Sequence, residues 1–91
     1  MKGILIKVDG TVVDFVPVNK TDYKLDELQK AVDGLIDIVN IPDSELIFVV
    51  NDEGAFTKQP NVVASLMCSI MFGAQCCLWG DVILCHTNMV K

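Results

Sequence analysis

An uncharged run from Gln59 to Gly80 constrains the fold of this chain more than any other feature. It covers 22 consecutive positions of a 91-residue sequence, and it contains the single Trp and three of the four Cys. A segment of this length and composition cannot remain fully solvated, because its apolar surface must be removed from water. It must therefore lie in a membrane, in the core of its own domain or against another chain.

A single membrane span is not the favoured interpretation of this run. A span needs about 20 predominantly apolar residues, whereas this run contains signals that divide it. Asn61 is a predicted helix N-cap, Gly73 is a predicted helix end, and Gly80 marks a further break. No cluster of Lys or Arg flanks the run, as would be expected beside a span. We therefore predict two elements of soluble length.

The first of these elements is a helix over residues 62–72, and the second is a strand over residues 75–79. Within the helix, Ser65 and Ser69 precede Gly73 at intervals of four, so small residues line one face. Such a face permits close packing, either onto the sheet or onto a neighbouring subunit. A further strand is predicted over residues 82–85.

The composition predicts one small domain over residues 1–91 with more apolar material than its own core needs. Hydrophobic residues make up 52% of the sequence, and a domain of this size buries a limited fraction of its surface. Exposed apolar patches mark contact sites, so we expect a homo-oligomer. An apolar-rich monomer remains the alternative.

The charges argue against nucleic-acid binding. The net charge is -5, the chain has no Arg, and eleven of its twelve acidic residues lie in residues 1–58. Arg is the preferred residue for bidentate contacts to phosphates and bases.

The N-terminus lacks a signal-peptide pattern, because Lys7 and Asp9 interrupt its apolar stretch. We therefore expect a cytoplasmic protein with reduced cysteines.

The remaining elements follow from turn signals and periodicity. Residues 3–18 predict a β-hairpin around Asp9-Gly10, a two-residue turn that would place Ile4 and Ile6 on the same side as Val13 and Phe15. A helix is predicted over residues 25–33, and strands are predicted over residues 35–41 and 45–50. The expected fold is α+β, a small and mostly antiparallel sheet with two helices, in the order β-β-α-β-β-α-β-β.

No catalytic motif is present, and we expect a non-enzymatic protein without a cofactor or metal. The closest approach to one is the group Cys76, Cys77, Cys85 and His86, which two paired strands could bring together. Its spacing matches no paired-cysteine zinc motif. Buried thiols with an ordinary His are the favoured interpretation, and a small thiol or metal enzyme remains a third hypothesis.

A family resemblance spans nearly the whole chain. It is carried by Leu25-x-x-Leu28-Gln29-x-x-Val32-x-Gly34-x-Ile36, by Val49-Val50-Asn51-Asp52-Glu53-Gly54, by Pro60-Asn61-x-x-Ala64 and by Gly80-Asp81-Val82. In this order and spacing, the pieces resemble a domain of unknown function found in small proteins of bacteriophages, plasmids and other mobile elements. The chain departs from the pattern at Lys24, where a Ser or Thr N-cap often precedes the Leu.

The resemblance implies a phage or mobile-element accessory protein that acts in the cytoplasm of a bacterial host. Small phage proteins often counter host defence, and some do so as oligomers that sequester a nucleotide immune signal. Our leading hypothesis is therefore a non-enzymatic homo-oligomer that captures a small nucleotide. The alternative is a direct inhibitor or regulator of a host protein, which would present the acidic N-terminal portion to a basic partner.

Without Arg, phosphate contacts would fall to Lys side chains, backbone N–H groups and helix N-termini. The best candidates are the turn over residues 51–54 and the helix start over residues 58–61. The predicted ligand-binding residues are Asn51, Glu53, Gly54, Lys58 and Asn61.

Overall fold

The computed structural model describes residues 2–90, which form one five-stranded sheet with helices on both faces. In chain order the elements are β1 (Gly3–Ile6), β2 (Val12–Phe15), α1 (Leu25–Val32), β3 (Ile36–Asn40), β4 (Leu46–Asn51), α2 (Gly54–Thr57), α3 (Val62–Phe72), β5 (Val82–His86) and a 3₁₀ turn (Thr87–Met89). The predicted α+β class is confirmed.

The sheet has the strand order β2-β1-β5-β4-β3, and every neighbouring pair is antiparallel. The hairpins β1–β2 and β3–β4 therefore do not touch each other directly. The last strand, β5, lies between β1 and β4 and joins the two hairpins into one sheet. The predicted antiparallel sheet is confirmed, and its central strand comes from the end of the chain.

Alternation along the central strands builds a separate core on each face of the sheet. In β4, Ile47 and Val49 pack with Leu28 of α1, whereas Phe48 and Val50 lie in the cluster of α3. All four of these β4 side chains are buried. A strand that is apolar at every position is typical of a sheet covered on both faces, so α1 and α3 lie on opposite sides.

The first hairpin has a different register from the predicted one. Ile6 pairs with Val12 and Ile4 pairs with Asp14, so the two-residue turn was wrong. The loop has three residues and ends at Gly10, whose φ of 91° is left-handed, with the N–H of Gly10 donating to the carbonyl of Lys7 at 3.0 Å. The loop is one residue longer than the predicted turn, so the pairing of β2 with β1 is shifted by one residue. This shift moves the side chains of β2 to the opposite face of the sheet from the predicted one.

The predicted strand over residues 75–79 is absent, and the predicted element order is wrong at this point. Two hydroxyl groups of α3 bind the backbone of this segment in place of a neighbouring strand. Ser69 Oγ accepts from the N–H of Cys76 at 2.9 Å, and Ser65 Oγ accepts from the N–H of Leu78 at 2.7 Å. The small-residue face of α3 therefore packs against the returning chain of its own domain.

The prediction of two helices was wrong in number, because the described part of the chain has three. Helix α1 ends one residue earlier than predicted, because Asp33 already adopts the left-handed conformation. No Ser or Thr caps its start, yet Glu27 still reaches back and accepts from the N–H of Lys24 at 2.7 Å. The single turn α2 was not predicted. No helix among residues 2–90 is long and apolar enough to cross a membrane.

Candidate functional site

Two concavities meet at the C-terminal end of α1, and Lys58 lines both of them. One has a volume of about 370 Å³ and is lined by Asn51, Glu53 and Lys58 among others. The other has a volume of about 290 Å³ and is also lined by Lys58, together with Gly80 and Asp81. Both are lined by Asp33, Thr57 and Lys58, and these three residues define what we call the Lys58 groove.

Lys58 is held in place along its whole length. Its N–H donates to the carbonyl of Gly54 at 2.8 Å, and its stem lies against Gly80, where an added Cβ would meet Lys58 Cγ at 3.0 Å. Its Nζ contacts Asp33 Oδ2 at 2.5 Å. The Lys58 side chain is only 25% exposed, whereas that of Asp33 is 86% exposed. The lysine is therefore the fixed partner of the pair.

The ion pair has an electrostatic consequence for Asp33. The hydrogen bond from Lys58, followed by its positive charge, lowers the pKa of the Asp33 carboxyl. The carboxylate is accordingly held in its charged form beside the amine. Because Asp33 is almost fully exposed, water screens this pair and its net strength is small.

Asn51 forms the wall of the groove by joining α1 to the turn after β4. Its Nδ2 donates to the carbonyls of Val32 and Asp33, each at 3.0 Å, and its Oδ1 accepts from the N–H of Glu53 at 2.8 Å. Both polar atoms of the Asn51 amide are thus engaged. Asn51 positions the groove, while Glu53 contributes a carboxylate to its rim.

Asn61 lies away from the groove and is fully buried. Its Oδ1 accepts from the N–H of Ala64 at 3.0 Å, which caps α3. Its Nδ2 donates to the carbonyls of Ile6 and Gly80 at 2.9 and 2.8 Å. The structure therefore gives Asn61 an architectural role, because its amide is already used inside the protein.

Gly54 also does not line the groove. An added Cβ at this position would lie 3.0 Å from Trp79 Cβ and 3.1 Å from the Trp79 carbonyl oxygen. A glycine is needed because the start of α2 packs directly on this backbone. Of the five predicted site residues, the structure brings Asn51, Glu53 and Lys58 together, and it places Gly54 and Asn61 elsewhere.

Among the lining residues that the sequence reasoning missed are two carboxylates and a hydroxyl: Asp33, Asp81 and Thr57. Asp33 was predicted only as the last residue of the helix over residues 25–33, with no role in a site. Asp81 Oδ1 accepts from the N–H of Val8 at 3.0 Å and so links the loop of the first hairpin to the groove. Contacts over such sequence separations leave no local signal.

The suggested cluster of Cys76, Cys77, Cys85 and His86 is not formed. Cys85 packs in the core on the α1 face, whereas Cys76 packs against the core on the α3 face. His86 Nε2 contacts Glu45 Oε2 at 3.0 Å. The prediction that two paired strands could bring the thiols together was wrong, because residues 75–79 do not join the sheet.

The buried thiols are also poorly suited to nucleophilic chemistry. Burial, with a further contribution from Cys76, raises the pKa of the Cys68 thiol to about 12, and burial raises that of Cys85 to about 11. A thiol must ionise to act as a nucleophile or metal ligand. Among residues 2–90, no three His, Cys, Asp or Glu side chains are grouped so that they could hold a metal ion.

The family of the chain is settled by its sequence rather than by the groove. A family model described as a domain of unknown function, DUF3846, matches residues 1–89. The chain belongs to this family. The resemblance drawn from the sequence motifs is thereby confirmed at the level of the domain. No curated protein and no solved structure shows a significant match to this DUF3846 chain.

Proposed function

We propose that this protein is a non-enzymatic binding protein that captures a small anionic ligand, of the nucleotide class, in the Lys58 groove. One observation carries the proposal. A lysine that is 25% exposed lines two adjoining concavities, and the group it holds is a carboxylate on an 86% exposed side chain. The amine is thus preformed, and its present partner is free to move into solvent.

Exchange of the carboxylate for a ligand anion is energetically accessible. Water screens the ion pair of the exposed Asp33 carboxylate, so releasing Asp33 costs little compared with a charge-assisted bond from Lys58 to a phosphate. The two volumes, about 290 and 370 Å³, are at the lower end of small-ligand sites. Together they match a ligand that contacts Lys58 and extends into both concavities.

The other charges of the groove narrow the chemistry of the ligand. Glu53 and Asp81 are acidic, and with Asp33 they outnumber Lys58. A ligand with many phosphates would be repelled, whereas one anionic group accompanied by hydroxyl or amino donors would satisfy both the lysine and the carboxylates. A nucleoside monophosphate unit, cyclic or linear, has this combination.

The biological setting of the proposal comes from the family resemblance to proteins of mobile elements. In that setting the protein would act in the cytoplasm of a bacterial host, and a captured nucleotide would be an immune signal withdrawn from its receptor. Such an accessory protein works by stoichiometric binding, without catalytic turnover. We propose further that it is a homo-oligomer, because the sequence has more apolar material than a small monomer buries.

Calorimetry with inorganic phosphate and a panel of linear and cyclic nucleotides tests ligand capture. We expect Lys58→Gln to weaken binding by about tenfold or more, since a charge-assisted contact is lost. Asp33→Asn should strengthen binding by up to about fivefold, because the competing carboxylate is removed. Asn is also well suited to the left-handed φ of 59° at this position.

Lys2→Gln is the matched control for the lysine substitution. Lys2 also pairs with an aspartate, Asp14, at 2.9 Å, but both side chains are about 60% exposed and lie outside the groove. It removes the same charge, so a general electrostatic effect would appear in both variants. Binding that is equal in wild type, Lys58→Gln and Lys2→Gln would refute capture at this groove.

The second candidate function is direct binding to a basic protein. The observation that favours it is the distribution of carboxylates, because eleven of twelve acids lie in residues 1–58 and nine of these eleven are exposed. Such an association would weaken steeply with added salt. A stoichiometric partner that dissociates between low and moderate ionic strength, with no nucleotide bound, would favour this function over capture.

A further inference from the structure

Helix α3 carries an exposed row of large apolar side chains along its outer face. Val62, Leu66 and Ile70 follow one another at intervals of four residues, and they are 72%, 62% and 74% exposed. We call these three residues the outer row. Residues at this spacing form a continuous ridge on the surface of a helix. The ridge belongs to the uncharged run, so no charged side chain of the helix itself shields it from water.

A depression lies directly beside this ridge. It has a volume of about 420 Å³ and is bounded by α3 on one side and by the segment after α3, residues 75–77, on the other. Its lining residues include Leu66, Ser69 and Cys76. The hydroxyl of Ser69 binds the backbone of that segment, so the floor of the depression is held by hydrogen bonds. One face of the protein therefore presents both a ridge, formed by the outer row, and a depression beside it.

This combination is what an isologous interface requires, since the same patch must fit itself after a twofold rotation. We propose that the outer row is a self-association surface, and that a second copy of this chain places its ridge in the adjacent depression. In that arrangement the two α3 helices cross near Leu66, and Val62 of one copy approaches Ile70 of the other. The inference rests on the homo-oligomer part of the proposed function and is independent of ligand capture.

The charge distribution favours a second copy over an acidic or basic partner. The chain carries a net charge of -5, yet residues 59–80 contribute none of it. Two copies that meet at α3 keep their carboxylates outside the contact, so the association avoids like-charge repulsion at close range. A strongly basic partner would find no carboxylate on this helix, and a second copy supplies an equally uncharged surface.

The size of the patch predicts an association of modest strength. Three mostly exposed aliphatic side chains present an apolar area of a few hundred Å², comparable with the patches that mark contact sites. A stable interface buries about 800 Å² per partner, so the row would form the centre and the flanking uncharged residues the rim. We therefore expect a dimer that dissociates on dilution, with little sensitivity to salt.

Sedimentation equilibrium over a wide concentration range tests this inference. Wild type should change from monomer to dimer as the protein concentration rises. Leu66→Lys should weaken the association by roughly 100-fold, because the lysine of one copy would lie opposite the lysine of the other. Leu25→Lys is the matched control. Leu25 is 58% exposed near the start of α1, compared with 62% for Leu66, and its substitution should leave the dimer unchanged.

A mixture of two variants distinguishes an isologous contact from any other. Leu66→Glu alone should also be monomeric, whereas an equimolar mixture with Leu66→Lys should recover a heterodimer, since position 66 faces itself across the axis. A monomeric wild type at all concentrations would overturn the inference. A dimer retained by both Leu66 variants would overturn it equally, because the interface would then lie elsewhere.

Two further measurements separate this inference from the proposed function. Calorimetry of Leu66→Lys with the same panel of linear and cyclic nucleotides should give the stoichiometry per chain of wild type, because the Lys58 groove lies outside the outer row. Loss of nucleotide binding with an intact wild-type dimer would defeat only ligand capture. A monomeric wild type that needs Leu66 to bind a different protein would defeat the second copy as the occupant of this face.

Discussion

Removing the side chain of Asn61 should destabilise the protein more than any other substitution of a polar residue in the uncharged run. The buried amide makes three hydrogen bonds, one to the N–H of Ala64 and two to the carbonyls of Ile6 and Gly80. Through these bonds Asn61 caps α3, joins α3 to β1 and holds the backbone at Gly80, just before β5 begins. Asn61→Ala removes all three at once and leaves two buried carbonyls without this donor.

The expected cost follows from these three bonds. Loss of an N-cap costs about 1 kcal/mol, and each lost bond to a buried carbonyl costs about 1 kcal/mol or more, which gives a total of roughly 3 kcal/mol. A domain of this length has a free energy of unfolding of roughly 5–14 kcal/mol. Asn61→Ala should therefore lower the melting temperature by about 12–24 °C.

Urea denaturation measures this loss, with circular dichroism as one probe and the fluorescence of Trp79, the single Trp, as the other. Coincident transitions with an unchanged dependence on urea would show that stability alone has changed. Asn61→Ser should recover about 1 kcal/mol, because its hydroxyl still caps the helix. Asn61→Asp should be worse than Ala, since a buried carboxylate would face two carbonyl oxygens.

The control substitution is Asn40→Ala, because Asn40 is exposed at the end of the edge strand β3. It should change the free energy of unfolding by less than about 0.5 kcal/mol. A loss below about 1 kcal/mol for Asn61→Ala would refute the reasoning. So would an Asn61→Asp variant as stable as wild type, since the amide donors would then contribute nothing.

Two further predictions use residues that report directly on burial. Burial raises the pKa of Tyr23 from its ordinary value of 10 to about 12; since it is the only Tyr, ultraviolet titration should show late ionisation. Because the pKa of Tyr23 is raised in the folded state, the neutral phenol contributes fully to stability below pH 10, and this contribution is lost between pH 10 and 12. The variant Tyr23→Phe cannot ionise here, so its free energy of unfolding should fall less between pH 10 and 12. With an aromatic disulfide reagent at neutral pH, the exposed Cys77 should react quickly, whereas the buried Cys68 and Cys85 should react only after denaturation; rapid reaction of more than two of the four thiols in native protein would contradict the packing.

The parts of the fold that could be predicted from sequence are those with contrast between polar and apolar positions. In α1, Leu28 and Val32 are buried while Asp26 and Lys30 are exposed, and this alternation gave the helix and its inner face. Turn residues bounded β3 and β4 in the same way. The Asp9-Gly10 pair, by contrast, is compatible with a two-residue and a three-residue loop, so the register of the first hairpin could not be decided locally.

The candidate site could be predicted only in part, for a related reason. Turn chemistry pointed to Asn51, Glu53 and Lys58 because their signals lie in one stretch of sequence. The pairing of Lys58 with Asp33 depends on how α1 and α2 pack, and nothing in either segment encodes it. Asn61 was recognised as an N-cap, but the two carbonyls that occupy its amide belong to distant parts of the chain, and these exclude it from ligand binding.

The bounds of α3 were predicted correctly, but an uncharged helix gives no polar face from which to tell its buried side from its exposed side. Small residues point inward, since Ala64 and Cys68 are buried, while the larger Leu66 and Ile70 point outward. In α1, by contrast, the fully buried residues are the larger Leu28 and Val32. Small inner residues allow the helix to approach the sheet closely, which leaves the core nothing to gain from the outer side chains. Their exposure therefore costs solubility without stabilising the monomer, and a second copy of the same face would remove that cost.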